Sequence, residues 1–488
     1  MRRFAPEDAR RLREFFAAAG YTATTLRTEL ALNKLPSRRL RTIPPMLDRT
    51  REATAGNTLA RWFFIGVTVT RRQAAPAIPD WVVGLLLESE MLRAESDLLI
   101  PEVRVTPIDS LLIASDCALN LELPGQSGLV LWPNPTTRLL SLFTIRTHSG
   151  RTLDLGTGCG LLALEAATHS DTVIATDLNP RAIEFAVFNA SLKGVENVEF
   201  RTGDCFEPVA GETFDRIVAN PPFFVTPSTN HLFSDSGMEL DGFCRKMIRE
   251  GPAHLNEGGF LQMIFEWAQV EGERWQDRLA GWLEGSGCDA WIIKGPSHDP
   301  SAYAQTRFQE AAPYTPDSDE TMFGEWMDYY RRCKVEAIHG GMIAMRRRPG
   351  RNWVRFDETQ YNPQRPFGDS VARMFSTQDF FEANAAAGRM LAAKFKLSPD
   401  VELEQRLRRV EDKWQIASLN LKLNGGLAFS QPLDPLVAEF VTACDGSRSS
   451  DELIDELAAK VDASREVVER ECLALIRRLV EREFLTQV

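Results

Sequence analysis

Apolar positions fall at helical spacing near the start of the chain and at strand spacing through its middle. Ala9, Leu12, Phe15 and Phe16 line one face between Pro6 and Ala19, and Leu26, Leu30 and Leu32 line one between Thr25 and Leu35, which predicts two helices. Leu59–Val69 and Trp81–Leu87 predict two more, followed by a short hairpin from Met91-Leu92 and Asp97-Leu98-Leu99. Ser110–Leu123 reads as a strand, and the turn Gly128–Thr137 opens a helix over Arg138–Phe143. Apolar strand runs then end at Leu155, Thr176, Phe200 and Ala219, and continue in Gly258–Phe265, Ala290–Lys294 and Ile338–Met345. Helical segments alternate with them at Leu161–Ala167, from Pro180, Asp241–Ala253 and Trp275–Leu283. Alternation of this kind predicts an α/β sheet of about seven strands covered on both faces. Pro296–Thr321, rich in Pro, Asp, Ser and Ala, is expected to be a lid or tether loop. Helices are predicted over Glu402–Asp412, Leu436–Ala443, Ser450–Lys460 and Ser464–Glu481. The expected organisation is a mainly helical region 1–109, the α/β domain 110–350, a linker with helices 351–410 and a helical module 411–488.

Composition narrows the class. At 488 residues, 44% hydrophobic and 25% charged, the chain has the make-up of a soluble multidomain protein, and no apolar run reaches the roughly 18 residues of a membrane helix. Its start, Met1-Arg2-Arg3-Phe4-Ala5-Pro6, lacks the apolar segment of a signal peptide. The eight cysteines are scattered without a C-x-x-C pair, so no metal site or disulfide framework is expected and a cytoplasmic location fits. A net charge of −12 argues against a protein that coats nucleic acid, while Arg38, Arg39, Arg41, Arg49 and Arg51, together with Arg346-Arg347-Arg348, leave room for a local basic face.

The chemistry concentrates in three turns and a fourth loop. Leu153-Asp154-Leu155-Gly156-Thr157-Gly158-Cys159-Gly160 is a strand, a tight turn and a helix start, in which glycine lets the backbone take positive φ and a ligand approach closely. A dinucleotide fingerprint beginning at Gly156 requires glycine at 161, where Leu161 stands, so a nicotinamide dehydrogenase is disfavoured. Asp177, at the carboxyl end of the next strand, can accept both hydroxyls of a ribose. Asp204, with Cys205 and Phe206 after it, can accept an exocyclic amine while the phenyl ring covers a base. Asn220-Pro221-Pro222-Phe223 offers a side-chain oxygen, a backbone carbonyl fixed by two prolines, and an aromatic face. Cys159 and Cys205 have no histidine partner and read as apolar fillers, and His231, His254, His298 and His339 read as structural.

Taken together, Leu153–Gly160, Asp177, Gly203-Asp204 and Ile217–Phe223 resemble, in order and spacing, the class I S-adenosylmethionine-dependent methyltransferases, over about residues 110–345. The resemblance implies a Rossmann-like seven-stranded sheet and S-adenosyl-L-methionine as cofactor, with Asp154, Gly156, Thr157, Gly158, Gly160, Asp177, Asp204, Cys205, Phe206 and Asn220 around it and no metal. Asn220, Pro221, Pro222 and Phe223 look like the signature of amino methyltransferases, which act on planar nitrogens of adenine, guanine or a glutamine amide. Leu131–Thr137 is similar to a turn of the release-factor glutamine methyltransferases, without its usual arginine and acid. The preferred expectation is methylation of a base amine, in RNA rather than DNA, with Phe223 as stacking face. A protein glutamine amide is the alternative, and a non-catalytic scaffold a second one. The N-terminal region resembles a winged-helix-like module and the last 60 or so residues a PqqD-like, winged-helix partner-binding module, with the oligomeric state left open.

Overall fold

The computed structural model describes the whole chain except residues 31–42, 118–127, 228–236, 311–315, 359–364, 384–386, 425–426 and 428. The described residues form two compact units, one of residues 1–140 and 148–358, the other of residues 141–147 and 359–488.

The first unit is built on an eight-stranded mixed sheet. Its strands, numbered here along the chain, are β1 (Ser149–Leu155), β2 (Ser170–Asp177), β3 (Val198–Thr202), β4 (Phe214–Ala219), β5 (Leu255–Val270), β6 (Cys288–His298), β7 (Val335–Arg347) and β8 (Val354–Glu358). They lie in the order β8-β6-β7-β5-β4-β1-β2-β3. The block from β5 to β3 is parallel throughout, and the chain runs outward from β1 in both directions, so a crevice opens at the carboxyl ends of β1 and β4. Near-continuous burial of Thr152–Leu155, Val173–Thr176 and Arg216–Ala219 is the mark of strands covered on both faces. β7 runs antiparallel between β5 and β6, which makes this end of the sheet mixed.

Several expectations need correction. The sheet has eight strands rather than about seven, because Val354–Glu358, placed by sequence in a linker, pairs in parallel with β6. Pro296–Thr321 is not a loop: β6 runs to His298, and helices Pro300–Glu310 and Pro316–Arg332 follow. Their aromatic residues Tyr303, Trp326, Tyr329 and Tyr330 cluster with Val225 and Ile338, and that burial outweighs the loop-like composition. Glu402–Asp412 is a strand, Val401–Val410, in an antiparallel hairpin with Lys413–Leu423. The second unit is therefore not purely helical: it carries two three-stranded sheets beside the helices Gly368–Ala383, Pro435–Thr442, Ser450–Ala458 and Arg465–Glu481.

At the N-terminus, helices Pro6–Ala18, Ala23–Glu29 and Asp80–Glu88 and a three-stranded sheet share one hydrophobic cluster with the helix Pro180–Lys193, from Leu12 and Phe16 through Ile113 to Phe185, Phe188 and Leu192. Arg38, Arg39 and Arg41 lie outside the described residues.

β7 passes the aromatic layer of β5 at Gly341, where a Cβ would sit 2.6 Å from the Ile293 carbonyl oxygen and 2.8 Å from the Trp267 ring. Trp267 is packed on Phe265 and Trp275 and has nowhere to move. Gly341→Ala is expected to destabilise the first unit by about 1–3 kcal/mol, read as an earlier midpoint in denaturant; an unchanged midpoint would contradict this packing.

Candidate functional site

Strand register sets out the site. Leu155 is opposite Ala219 on β4 and Thr176 on β2, and Asp177 is opposite Thr202 on β3. The next residues, Asn220, Gly156, Asp177 and Gly203, therefore stand in a row at four adjacent strand ends, spaced by about 4.8 Å per strand. The four loops singled out in the sequence lie along one edge.

The glycine turn is pinned by its neighbours. Gly156 and Thr157 donate their N–H groups to the Thr176 carbonyl at 2.9 and 2.8 Å. Gly158 N–H donates to Asp177 Oδ2 at 2.8 Å, Asn179 N–H donates to Asp177 Oδ1 at 2.8 Å, and Gly203 N–H donates to the Asp177 carbonyl at 3.0 Å. Asp177 thus joins three turns, while Asn179 caps the following helix by accepting from Arg181 N–H. Gly156, Gly158 and Gly160 all have positive φ. A Cβ on Gly156 or Gly158 would meet nothing within 4 Å, so these two leave open space in front of the backbone, whereas at Gly160 it would press on Ala186 at 3.0 Å. The first two glycines admit a ligand, and the third admits a helix.

Asp154 holds the turn from beneath. It is wholly buried, and its Oδ2 accepts from Thr157 Oγ1 at 2.6 Å and from Ala163 N–H at 2.9 Å. Its Oδ1 has no partner. Burial pushes the carboxyl up to about 7, and the two bonds only partly oppose that shift. Thr157 is thus spent on Asp154. Burial likewise raises the pKa of Asp177, and pushes the thiols of Cys159 and Cys205 up to about 12, which leaves them protonated and inert.

The Asn220 loop is oriented by residues that the sequence reading did not assign to the site. Asn220 Nδ2 donates to Thr137 Oγ1 at 3.0 Å, and Thr137 Oγ1 donates its proton to Asn134 Oδ1 at 3.0 Å. Asn134 Oδ1 also takes Thr136 Oγ1 at 2.7 Å and Thr137 N–H at 2.9 Å, which caps the helix Pro135–Phe143. With the hydroxyl proton committed to Asn134, Thr137 can only accept from Asn220. Asn220 Oδ1 is left buried with no partner. The signal was the pair Asn134 and Thr137 at N-cap spacing, in a stretch read from the sequence as a turn that opens a helix and resembles one of the glutamine methyltransferases, with no role given to either side chain. Downstream, Val225 N–H donates to Tyr303 Oη at 3.1 Å and Tyr330 Oη donates to the Val225 carbonyl at 2.7 Å, so two tyrosines of the helical insert clamp the loop's exit.

Other assignments shift. Phe223 is only 8% exposed, with Phe224 at 5.6 Å between centroids, so it offers little face for stacking. Phe206 is buried and stacked on His254 at 4.6 Å, while Asp204 and Cys205 are half-buried at the third turn. Leu178, directly after Asp177, is 54% exposed. Pro221 is buried and Pro222 half-buried. Arg346, Arg347 and Arg348 form no free basic patch: Arg346 and Arg348 bind Asp289 and Arg347 binds the Pro252 carbonyl. His339 is held down to about 4 by burial between Trp267 and Trp275, and His231 lies outside the described residues. Asn189, wholly buried, binds both backbone groups of Ala114 at 2.8 and 2.9 Å and the Cys159 carbonyl at 2.8 Å, tying the hairpin Val103–Asp116 to the glycine turn.

Residues 134–274 match the family model described as methyltransferase small domain, and residues 372–487 match one described as a domain of unknown function (DUF7782). The chain is 37% identical over 144 residues to the release factor glutamine methyltransferase of Xylella fastidiosa (strain 9a5c), covering 27% of this chain and 52% of that protein. It is 32% identical over 180 residues to the Escherichia coli (strain K12) release factor glutamine methyltransferase, covering 33% and 64%. It is 32% identical over 158 residues to the ribosomal protein uL3 glutamine methyltransferase of Bradyrhizobium diazoefficiens, covering 30% and 50%. The chain spans about half the length of the first of these relatives. The central domain is a class I S-adenosylmethionine-dependent methyltransferase domain, and the open glycine cradle, the ribose-type Asp177 and the orphaned Asp154 Oδ1 fit that cofactor. No helix among the described residues is long and apolar enough to cross a membrane.

Asp154 sets a pH dependence. Its folded carboxyl titrates near 7, whereas an unfolded one titrates at about 3.9, so folding is favoured by the protonated form below that value. This contribution is lost as pH rises through about 7. Asp154→Asn is expected to flatten the unfolding free energy between these two values, measured by denaturant titration at a series of pH; an unaltered slope would contradict it.

Proposed function

We propose that this chain transfers the methyl group of S-adenosylmethionine to the side-chain amide nitrogen of a glutamine in a protein substrate. The observation that carries the reading is the buried, unpartnered Asn220 Oδ1, held as an acceptor by the Thr137 hydroxyl. An amide nitrogen shares its lone pair with the carbonyl and is a poor nucleophile. Asn220 Oδ1 and the Pro221 carbonyl can each accept one of its N–H bonds, which favours a pyramidal nitrogen with its lone pair directed at the donor. Pro222 fixes the backbone after that carbonyl. The cofactor supplies an electrophilic methyl on a sulfonium. The chain's part is to hold the two in contact, which can be worth several kcal/mol. The methylated nitrogen is left with one proton too many and is strongly acidic, so water removes it and no tuned base is required.

The choice of a glutamine amide over a base amine replaces the preference stated from the sequence. The supports for a base weaken in the structure, because Phe223 is buried and Arg346–Arg348 are engaged within the first unit. The relatives with similar central sequences carry names of glutamine methyltransferases acting on release factors and a ribosomal protein. A protein substrate is the reading that both supports favour.

Two experiments test this. Asn220→Ala is expected to lower turnover by about 100-fold or more with cofactor affinity retained, and Asp177→Ala to lose cofactor affinity in calorimetry. Thr137→Val, which frees the Asn220 amide to turn over, should reduce kcat with little change in KM, while Thr137→Ser should retain activity; equal kinetics for Val and Ser would remove Thr137 from this role. Separately, labelled methyl transferred in cell extract should survive nuclease and not protease, and acid hydrolysis of the labelled protein should release methylamine. Label lost to nuclease would return the acceptor to a base.

A further inference from the structure

The hairpin of the second unit presents an open edge. Among the described residues, Val401–Val410 pairs on one side only, with Lys413–Leu423, and every residue from Glu402 to Arg409 is exposed. One face of the hairpin is mostly apolar, interrupted by Gln405 and Arg409. Val401 pairs with Leu423, Leu403 with Leu421, Gln405 with Leu419, Leu407 with Ile416 and Arg409 with Trp414. Leu419, Leu421 and Leu423 are buried, whereas Leu403, Leu407, Ile416 and Trp414 are exposed, Trp414 by 69%. Edge strands are ordinarily protected by proline, by short length or by inward charges. This one runs for ten residues without a proline, and its charges, Glu402, Glu404, Arg406, Arg408 and Arg409, are of both signs, so they repel a copy in some registers and match it in others.

We propose that a second copy of this chain pairs with it, edge to edge and antiparallel, about a two-fold axis through Gln405. The order of side chains carries the choice of occupant. In that register Leu403 of one copy faces Leu407 of the other, Glu404 faces Arg406, and Glu402 faces Arg408. Each pair occurs twice by symmetry, as an isologous interface requires. The leucines meet on the apolar face and the ion pairs on the opposite one, because side chains alternate along a strand. A shift by one residue in either direction would break the pattern. Glu404 already accepts from Lys422 at 2.6 Å and Arg409 binds Asp412 at 2.8 Å, while Glu402, Arg406 and Arg408 have no ion-pair partner among the described residues. Pairing would join the two three-stranded sheets into one and satisfy both open edges.

Sedimentation equilibrium of the full chain under reducing conditions tests the interface. The wild type is expected to show a monomer–dimer equilibrium, and Arg406→Glu or Glu404→Arg, each placing like charges opposite one another twice, should weaken it by about tenfold or more. The double variant Glu404→Arg/Arg406→Glu should restore it to near the wild-type constant, which a merely misfolded hairpin would not do. Gln405→Cys, on the axis, should form an intermolecular disulfide on oxidation, and Gln415→Cys, on the inner strand, should not. A wild type still monomeric at roughly 100 µM, or a double variant no tighter than the singles, would overturn the proposal.

Discussion

A side-chain amide presents its oxygen in one direction only if something prevents it from turning over. At Asn220 that constraint is a single hydroxyl whose proton is already committed, since Thr137 donates to Asn134 and can only accept from Asn220. The chain of dependence runs back through ordinary local structure. Asn134 is held because it caps a helix, and Thr137 because it sits in that helix's first turn. Asn220 itself is fixed by the register of β4 on β1. The arrangement needs no titrating group, which suits chemistry in which orientation rather than proton transfer limits the nucleophile.

The other half of the site is governed by burial of charge. Asp154 contributes two short bonds to the turn and helix above it, at the expense of placing a carboxyl where water cannot reach. Asp177 is less buried and satisfies both oxygens with backbone N–H groups. The two acids therefore divide the work: one shapes the backbone, and the other stands at the surface of the crevice with room for further donors. Their mutual repulsion adds to the upward shift at Asp154.

Much of this was legible in the sequence, and what was not has identifiable causes. The glycine turn, Asp177 and the Asn220 loop are local motifs whose spacing reports their geometry directly. Thr137 acts over a separation of 83 residues, which no window along the chain can reveal. The helices after His298 were misread because Pro, Asp, Ser and Ala are frequent from Pro296 to Thr321, although Trp326, Tyr329 and Tyr330 stand at helical spacing. The strand Val401–Val410 was misread for the converse reason: Leu403, Leu407 and Val410 fit a helical face, and Glu, Leu and Arg favour helix. Its partner gave the truer sign, since Leu419, Leu421 and Leu423 alternate as strand residues do.

Asn189 has a consequence for how such a protein can be rearranged. Its amide imitates a peptide group, answering the N–H and carbonyl of Ala114 as a neighbouring strand would, while the same nitrogen reaches the Cys159 carbonyl. The hairpin before the sheet and the glycine turn thereby share one side chain. A graft that exchanged the N-terminal segment would take the Ala114 groups with it and leave the buried Asn189 Oδ1 without its donor, while Asn189 Nδ2 would keep only the Cys159 carbonyl. The hairpin and the sheet are thus coupled through one buried side chain as well as through a shared apolar cluster, and an exchange of the segment would have to include position 189.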